Sequence, residues 1–172
     1  MGQTMEQAQD VLSAVVQQIE AVIQTPDLLQ HLDYPEVAVP KLDLLNLFLT
    51  ELGWSEEQRL RVCTATAFAQ LGLDIHENVN ADDPLDEQKK RHRQLSILAG
   101  DFFSSQFYAL LANCGEIRVI PIIAQAISEI NQAKMRLYQS GGNGIGFQQL
   151  LQEYTVIHCA LYANFTQLDA KR

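Results

Sequence analysis

Positive charge is scarce in this 172-residue chain: 12 Lys and Arg stand against 21 Asp and Glu, for a formal net charge of −9 at pH 7. Polyanions need a basic face, and the densest basic run is only Lys89-Lys90-Arg91 with Arg93. The composition therefore argues against a nucleic-acid partner and against binding to anionic lipid. Cysteine is scarce too. Cys63, Cys114 and Cys159 lie far apart in apolar runs and form no CxxC pair. Free, buried thiols in a reducing compartment are expected, with no disulfide framework. None of the three has an evident histidine neighbour except Cys159 beside His158, and adjacent residues point to different sides of a helix, so no nucleophile is identified.

Other absences narrow the reading further. No apolar run reaches 18 residues, so no membrane span is expected. The amino terminus lacks a basic segment leading into an apolar one, and Glu6 occupies the position a myristoylation signal needs for a hydroxyl; a cytoplasmic protein is expected. No stretch reads as a strand, because Val37-Ala38-Val39 is short and lies between Pro35 and Pro40. No internal repeat is visible. Gly141, Gly142, Gly144 and Gly146 invite a phosphate-loop reading, but no strand precedes them. Phe147 stands where GxGxxG needs glycine, and the P-loop Lys-Ser/Thr is missing. A linker is the simpler reading.

What the chain does have is apolar residues at helical spacing. With 47% of its residues apolar, it is long enough to bury a core as one all-α domain, residues 1–172, of about six or seven helices. Val11, Leu12, Val15, Val16, Ile19, Val22 and Ile23 mark a first helix over about Thr4–Gln24, stopped by Pro26, and Asp27–Leu32 adds a short turn. Pro40 starts a helix over Lys41–Leu52, with Leu42, Leu45, Phe48, Leu49 and Leu52 inward, and Gly53 ends it. Ser55-Glu56-Glu57-Gln58 is a capping box that opens a helix reaching about Asn80. Its core stripe is Leu60, Cys63, Thr64, Ala67, Phe68, Leu71, Ile75 and Val79, and Ala81-Asp82-Asp83-Pro84 breaks it. Two later helices span about Glu116–Gln139, with Ile120, Ile123, Ala124, Ile127, Ile130, Lys134 and Leu137 on one face, and Phe147–Leu168, with Leu150, Leu151, Tyr154, Ile157, Leu161 and Phe165.

The stretch Gln94–Gly115 is expected to organise the rest. It holds a single charge, Asp101, and two apolar stripes, one through Leu95, Leu98, Ala99, Phe102, Ala109 and Ala112, the other through Phe103, Phe107, Leu110 and Cys114. A helix apolar on two faces is expected to be covered on two sides. Ser104, Ser105 and Gln106 make that cover protein rather than lipid, and the small residues Ala99, Gly100, Ser104 and Ser105 let another helix approach. Asp86–Arg93 is a solvated lead-in. A lone carboxylate within such a helix either lies at a wet edge or has a partner.

Leu98-Ala99-Gly100-Asp101-Phe102, following a helix that carries His76-Glu77-Asn78-Val79, resembles the trans-prenyl diphosphate synthase superfamily. Within it, the chain is most similar to the small, non-catalytic subunits of two-component enzymes of the heptaprenyl type. The likeness is firm over Gly72–Met135. Catalytic members carry two aspartate-rich motifs that hold magnesium on an allylic diphosphate, because magnesium takes hard oxygen ligands. Placed on this sequence, the first motif becomes His76, Glu77, Asn78 and Ala81, with only Glu77 charged. After Gly146 the only carboxylates are Glu153 and Asp169, so the second motif is absent.

The resemblance thus implies a truncated isoprenoid-synthase-like fold, no catalytic residues, and no metal or cofactor held by this chain. Magnesium is expected on a catalytic partner subunit, and the pair is expected to extend farnesyl diphosphate with isopentenyl diphosphate toward the menaquinone side chain. It also implies pairing through the helix around Leu98–Asp101, with Leu98, Gly100, Asp101, Phe102, Phe103, Phe107 and Tyr108 as candidates for the partner or for the core beneath it. The basic run Lys89–Arg93 falls near the family's diphosphate-holding pair, and also reads as a solvated face. His76 also reads as an ordinary helical histidine bonding a neighbour. Two other functions fit the residues: an all-helical adaptor that homodimerises through residues 94–115, and a small metal-dependent hydrolase using Glu77, Asp82, Asp83 and Asp86.

Overall fold

The computed structural model describes residues 2–24, 32, 34–77, 87–140 and 144–171. Every regular element among them is helical: α1 (Gly2–Gln24), α2 (Val39–Glu51), α3 (Glu56–Glu77), α4 (Glu87–Asn113), α5 (Ile120–Ser140) and α6 (Phe147–Ala163), with 3-10 turns at Ile117–Val119 and Asn164–Lys171. The chain is all-α, as its periodicity implies. The expected turn at 27–32 and the end of the third helix beyond Glu77 fall largely or wholly outside the described residues.

Local sequence sets the helix ends. At the start of α3 the Gln58 amide donates to Ser55 Oγ at 3.3 Å, and the Ser55 amide donates to Gln58 Oε1 at 3.1 Å. This reciprocal cap satisfies two amides that the helix leaves open. Gly53 and Gly115 take positive φ, 77° and 81°. At each, two amides fold back on the last turn: Gly53 to Thr50 and Trp54 to Leu49, then Gly115 to Ala112 and Glu116 to Leu111. That is a Schellman stop, which a side chain at the left-handed position would strain.

The chain divides into two compact units, Met1–Glu116 and Ile117–Arg172. In the first, α3 is the enclosed helix. It packs most closely on α4 and also on α1 and α2, and 13 of its 22 residues are buried, including every one from Val62 to Ala69. This corrects the expectation that residues 94–115 would be covered on two sides, since α4 buries six of its 27 residues, on a single stripe. The reason is side-chain size. Cys63, Thr64, Ala65, Thr66, Ala67 and Ala69 are small, so three helices can approach the α3 axis from different sides. Small residues form no conspicuous apolar stripe, so their burial does not stand out in the sequence. By length and composition alone, α4 is long and apolar enough to cross a membrane, the one such helix among the described residues.

Polar bonds tie this unit together across helices. Thr64 Oγ1 donates to Gln18 Oε1 at 3.1 Å, joining α3 to α1. The buried Arg59 donates from Nε to Asn46 Oδ1 at 3.0 Å and from Nη1 to the Trp54 carbonyl at 3.2 Å. A buried cation must be solvated by such groups. Gln58 Nε2 donates to Glu116 Oε1 at 2.8 Å.

In the second unit α5 packs on α6. The buried face of α5 runs through Ile122, Ile123, Ala126, Ile130 and Ala133, turned slightly from the expected stripe, on which Ile120, Ala124, Ile127, Lys134 and Leu137 are half-buried. On α6 the difference is larger. Leu150, Leu151 and Tyr154 are exposed, while Glu153, Ala160 and Leu161 are buried. Arg136 explains the inversion: its Nε and Nη2 donate to the two Glu153 carboxylate oxygens, each at 2.7 Å. This two-point bond draws Glu153 to the α5 side and holds its carboxyl below the usual range. Asn164 Nδ2 adds a bond to Glu129 Oε2. The three cysteines are free, but only Cys63 is buried; Cys114 is half-buried and Cys159 lies on the outer side of α6.

Candidate functional site

The interface between α3 and α4 is built on two glycines. A Cβ at Gly72 would stand 2.6 Å from Ser104 Oγ and 3.1 Å from the Gly100 carbonyl oxygen. A Cβ at Gly100 would stand 2.7 Å from the His76 imidazole. A glycine within a helix lowers helix propensity, and here the close approach of the α4 backbone is the reason at Gly72 and the His76 ring the reason at Gly100. Beneath them Phe103, Phe107 and Leu111 fill the core. Phe103 meets Phe68 at 6.0 Å between ring centroids and Tyr34 edge-on at 5.9 Å.

Tyr34 brings an uncompensated group into that cluster. Its hydroxyl is buried without a hydrogen-bond partner among the described residues, and burial pushes its pKa up to about 12.

Where Gly100 leaves room, His76 lies against α4. Its Nε2 is 3.3 Å from Asp101 Oδ1. The two alternatives considered for Asp101, a wet edge or a partner group, both hold: its side chain is 68% exposed and His76 touches it. The His76 side chain is 39% exposed. Glu77, next along, is exposed at the end of α3. Asn78 lies outside the described residues, as do Asp82, Asp83 and Asp86. Among the described residues no three His, Cys, Asp or Glu side chains are grouped to hold a metal ion.

The seven candidates on α4 separate by face. Gly100, Phe103 and Phe107 are buried against their own chain, the two rings 0% and 1% exposed. Leu98 and Tyr108 are exposed, at 55% and 46%, Asp101 lies beside them, and Phe102 is half-buried. One helical turn sets Leu98, Asp101, Ser105, Ala109 and Ala112 along the outer side. From Gln94 to Asn113 that outer side carries no charge except Asp101. Sequence reasoning passed over Gly72 and Ile97. A lone glycine inside the α3 pattern was the available signal for the first; Ile97, also exposed, falls between the two stripes and gave none.

Residues 26–171 match the family described as heptaprenyl diphosphate synthase (HEPPP synthase) subunit 1, and the chain belongs to that family. It is also similar to heptaprenyl diphosphate synthase component 1 of Geobacillus stearothermophilus, with 43% identity over 79 residues. That alignment covers 46% of this chain and 34% of the relative, so the chain matches about a third of the relative's length. No solved structure matches.

Proposed function

We propose that this chain is the regulatory, non-catalytic subunit of a two-component trans-polyprenyl diphosphate synthase, and that it binds its catalytic subunit through the outer face of α4. The observation that carries the reading is the asymmetry of that helix. Its inner stripe is filled by its own chain, while Ile97, Leu98 and Tyr108 stand out on a side with one charge. An exposed apolar strip on a helix is stabilised by a covering protein surface.

Catalysis is assigned to the partner for a chemical reason. Ionising an allylic diphosphate takes several magnesium-binding carboxylates, and the matching positions here retain Glu77 alone. The partner would hold the magnesium and extend farnesyl diphosphate with isopentenyl diphosphate to a heptaprenyl-like product for the menaquinone side chain. Both subunits would work in the cytoplasm. Within the complex this chain stabilises the catalytic subunit and helps enclose the growing apolar tail.

The test is isopentenyl incorporation from farnesyl diphosphate with each subunit alone and with both. Activity only in the mixture is the expected result. Turnover by this chain alone, or full turnover by the partner alone, would overturn the assignment.

A further inference from the structure

The outer face of α4 poses an electrostatic problem if it is covered. Asp101 lies midway along it, and the stripe from Gln94 to Asn113 contains no Lys or Arg to neutralise it. His76 Nε2 lies 3.3 Å from one carboxylate oxygen, Oδ1, and the side chain, 68% exposed, keeps acceptor capacity for a further donor. An apolar cover would strip water from this carboxylate and return nothing in its place. A second copy of the same stripe would bring another Asp101 and no Lys or Arg, and a symmetric dimer pairs a patch with itself.

We infer that Asp101, positioned by His76, is the charged recognition point of this face, and that it accepts a hydrogen bond from an arginine or lysine on a helix of a different protein. The inference rests on the subunit reading above, and it names the chemistry the catalytic partner must present opposite α4. His76 is a positioning residue: its ring lies where the missing side chain of Gly100 leaves room, and its Nε2 touches the carboxylate.

The experiment measures binding of the full chain to the catalytic subunit at two salt concentrations, for wild type, Asp101→Asn and His76→Gln. Truncating one member of a desolvated charge pair commonly costs 2 kcal/mol or more, so Asp101→Asn is expected to weaken binding by about 30-fold or more and to flatten its salt dependence. His76→Gln is expected to weaken it less and to keep the salt dependence. Because Asp101 is exposed in the free chain, the thermal midpoint of Asp101→Asn should match wild type, which separates lost recognition from lost folding. Wild-type binding with Asp101→Asn equally tight and equally salt-sensitive would overturn the inference and leave the subunit reading standing. No wild-type binding would overturn the subunit reading, and the inference with it. Self-association of the wild type that Asp101→Asn abolishes would assign the face to a second copy and overturn the inference as well.

Discussion

Helices α3 and α4 lie side by side and solve burial differently. α3 uses small residues so that its own chain can close around it, with α1, α2 and α4 packed on it. α4 puts large rings on one side, Phe103 and Phe107, and leaves Leu98 and Tyr108 on the other. A window within α4 is apolar enough to pass for a membrane span, yet α3 is the better buried. The difference teaches that apolar content measures how much surface a helix needs covered, while small side chains measure how closely neighbours can come. On α4 the need exceeds what its own chain supplies, and that excess is the argument for a partner.

Substitutions on the two sides of α4 test this contrast most strongly. Phe103→Ala removes a fully buried ring that touches Phe68 and Tyr34, and should cost about 3–5 kcal/mol of stability in denaturant titration. Leu98→Ala should change the stability of the isolated chain by no more than about 0.5 kcal/mol while weakening the complex. Similar losses of chain stability from both would erase the distinction between the faces.

Gly72→Ala probes the α3–α4 approach itself. The new methyl group meets Ser104 Oγ and the Gly100 carbonyl, and about 1–3 kcal/mol should be lost despite the better helix propensity of alanine. Pairing it with Ser104→Ala should recover part of the loss, since one obstacle is removed. An unchanged or raised melting temperature for Gly72→Ala would show that the helices are not held that closely.

The second unit is held by charge as well as packing, so it should respond to pH. Arg136 lowers the Glu153 pKa through their two hydrogen bonds. For a carboxyl depressed on folding, stability is fully present above the unfolded value and is lost as pH falls through the folded one. Acid should therefore loosen α5 from α6, read by hydrogen exchange, and Glu153→Gln should reduce that acid dependence. Equal acid sensitivity in the variant would remove the ion pair from the account. The smallest effect is expected at Tyr34. Its hydroxyl gains no described partner, so Tyr34→Phe should leave stability unchanged or slightly raised, as a melting curve would report.

Much of the fold was legible because helix signals are local. The Ser55 capping box, the Gly53 and Gly115 stops and the stripe Val11, Val15, Ile19 all behave as their spacing dictates. What was not legible depends on distant partners. The face α6 turns inward follows from Arg136, 17 residues upstream of Glu153, and hydropathy ranks Leu150 and Tyr154 above Glu153. The enclosure of α3 follows from three helices that the sequence does not place. At the candidate site, the motif Leu98–Phe102 falls on the turn of α4 that meets Gly72 and His76. Which of its residues look outward was settled only by the close contact of Gly72 and Gly100, a tertiary fact.

The central claim is that the outer face of α4 belongs to the catalytic partner. Hydroxyl-radical footprinting of this chain, alone and in complex, tests it directly, because Tyr108 and Leu98 are exposed and Phe103 is not. Strong protection of Tyr108 and Leu98 on binding is expected, with little change at Phe103. A stable complex in which Tyr108 and Leu98 remain as reactive as in the free chain would contradict it.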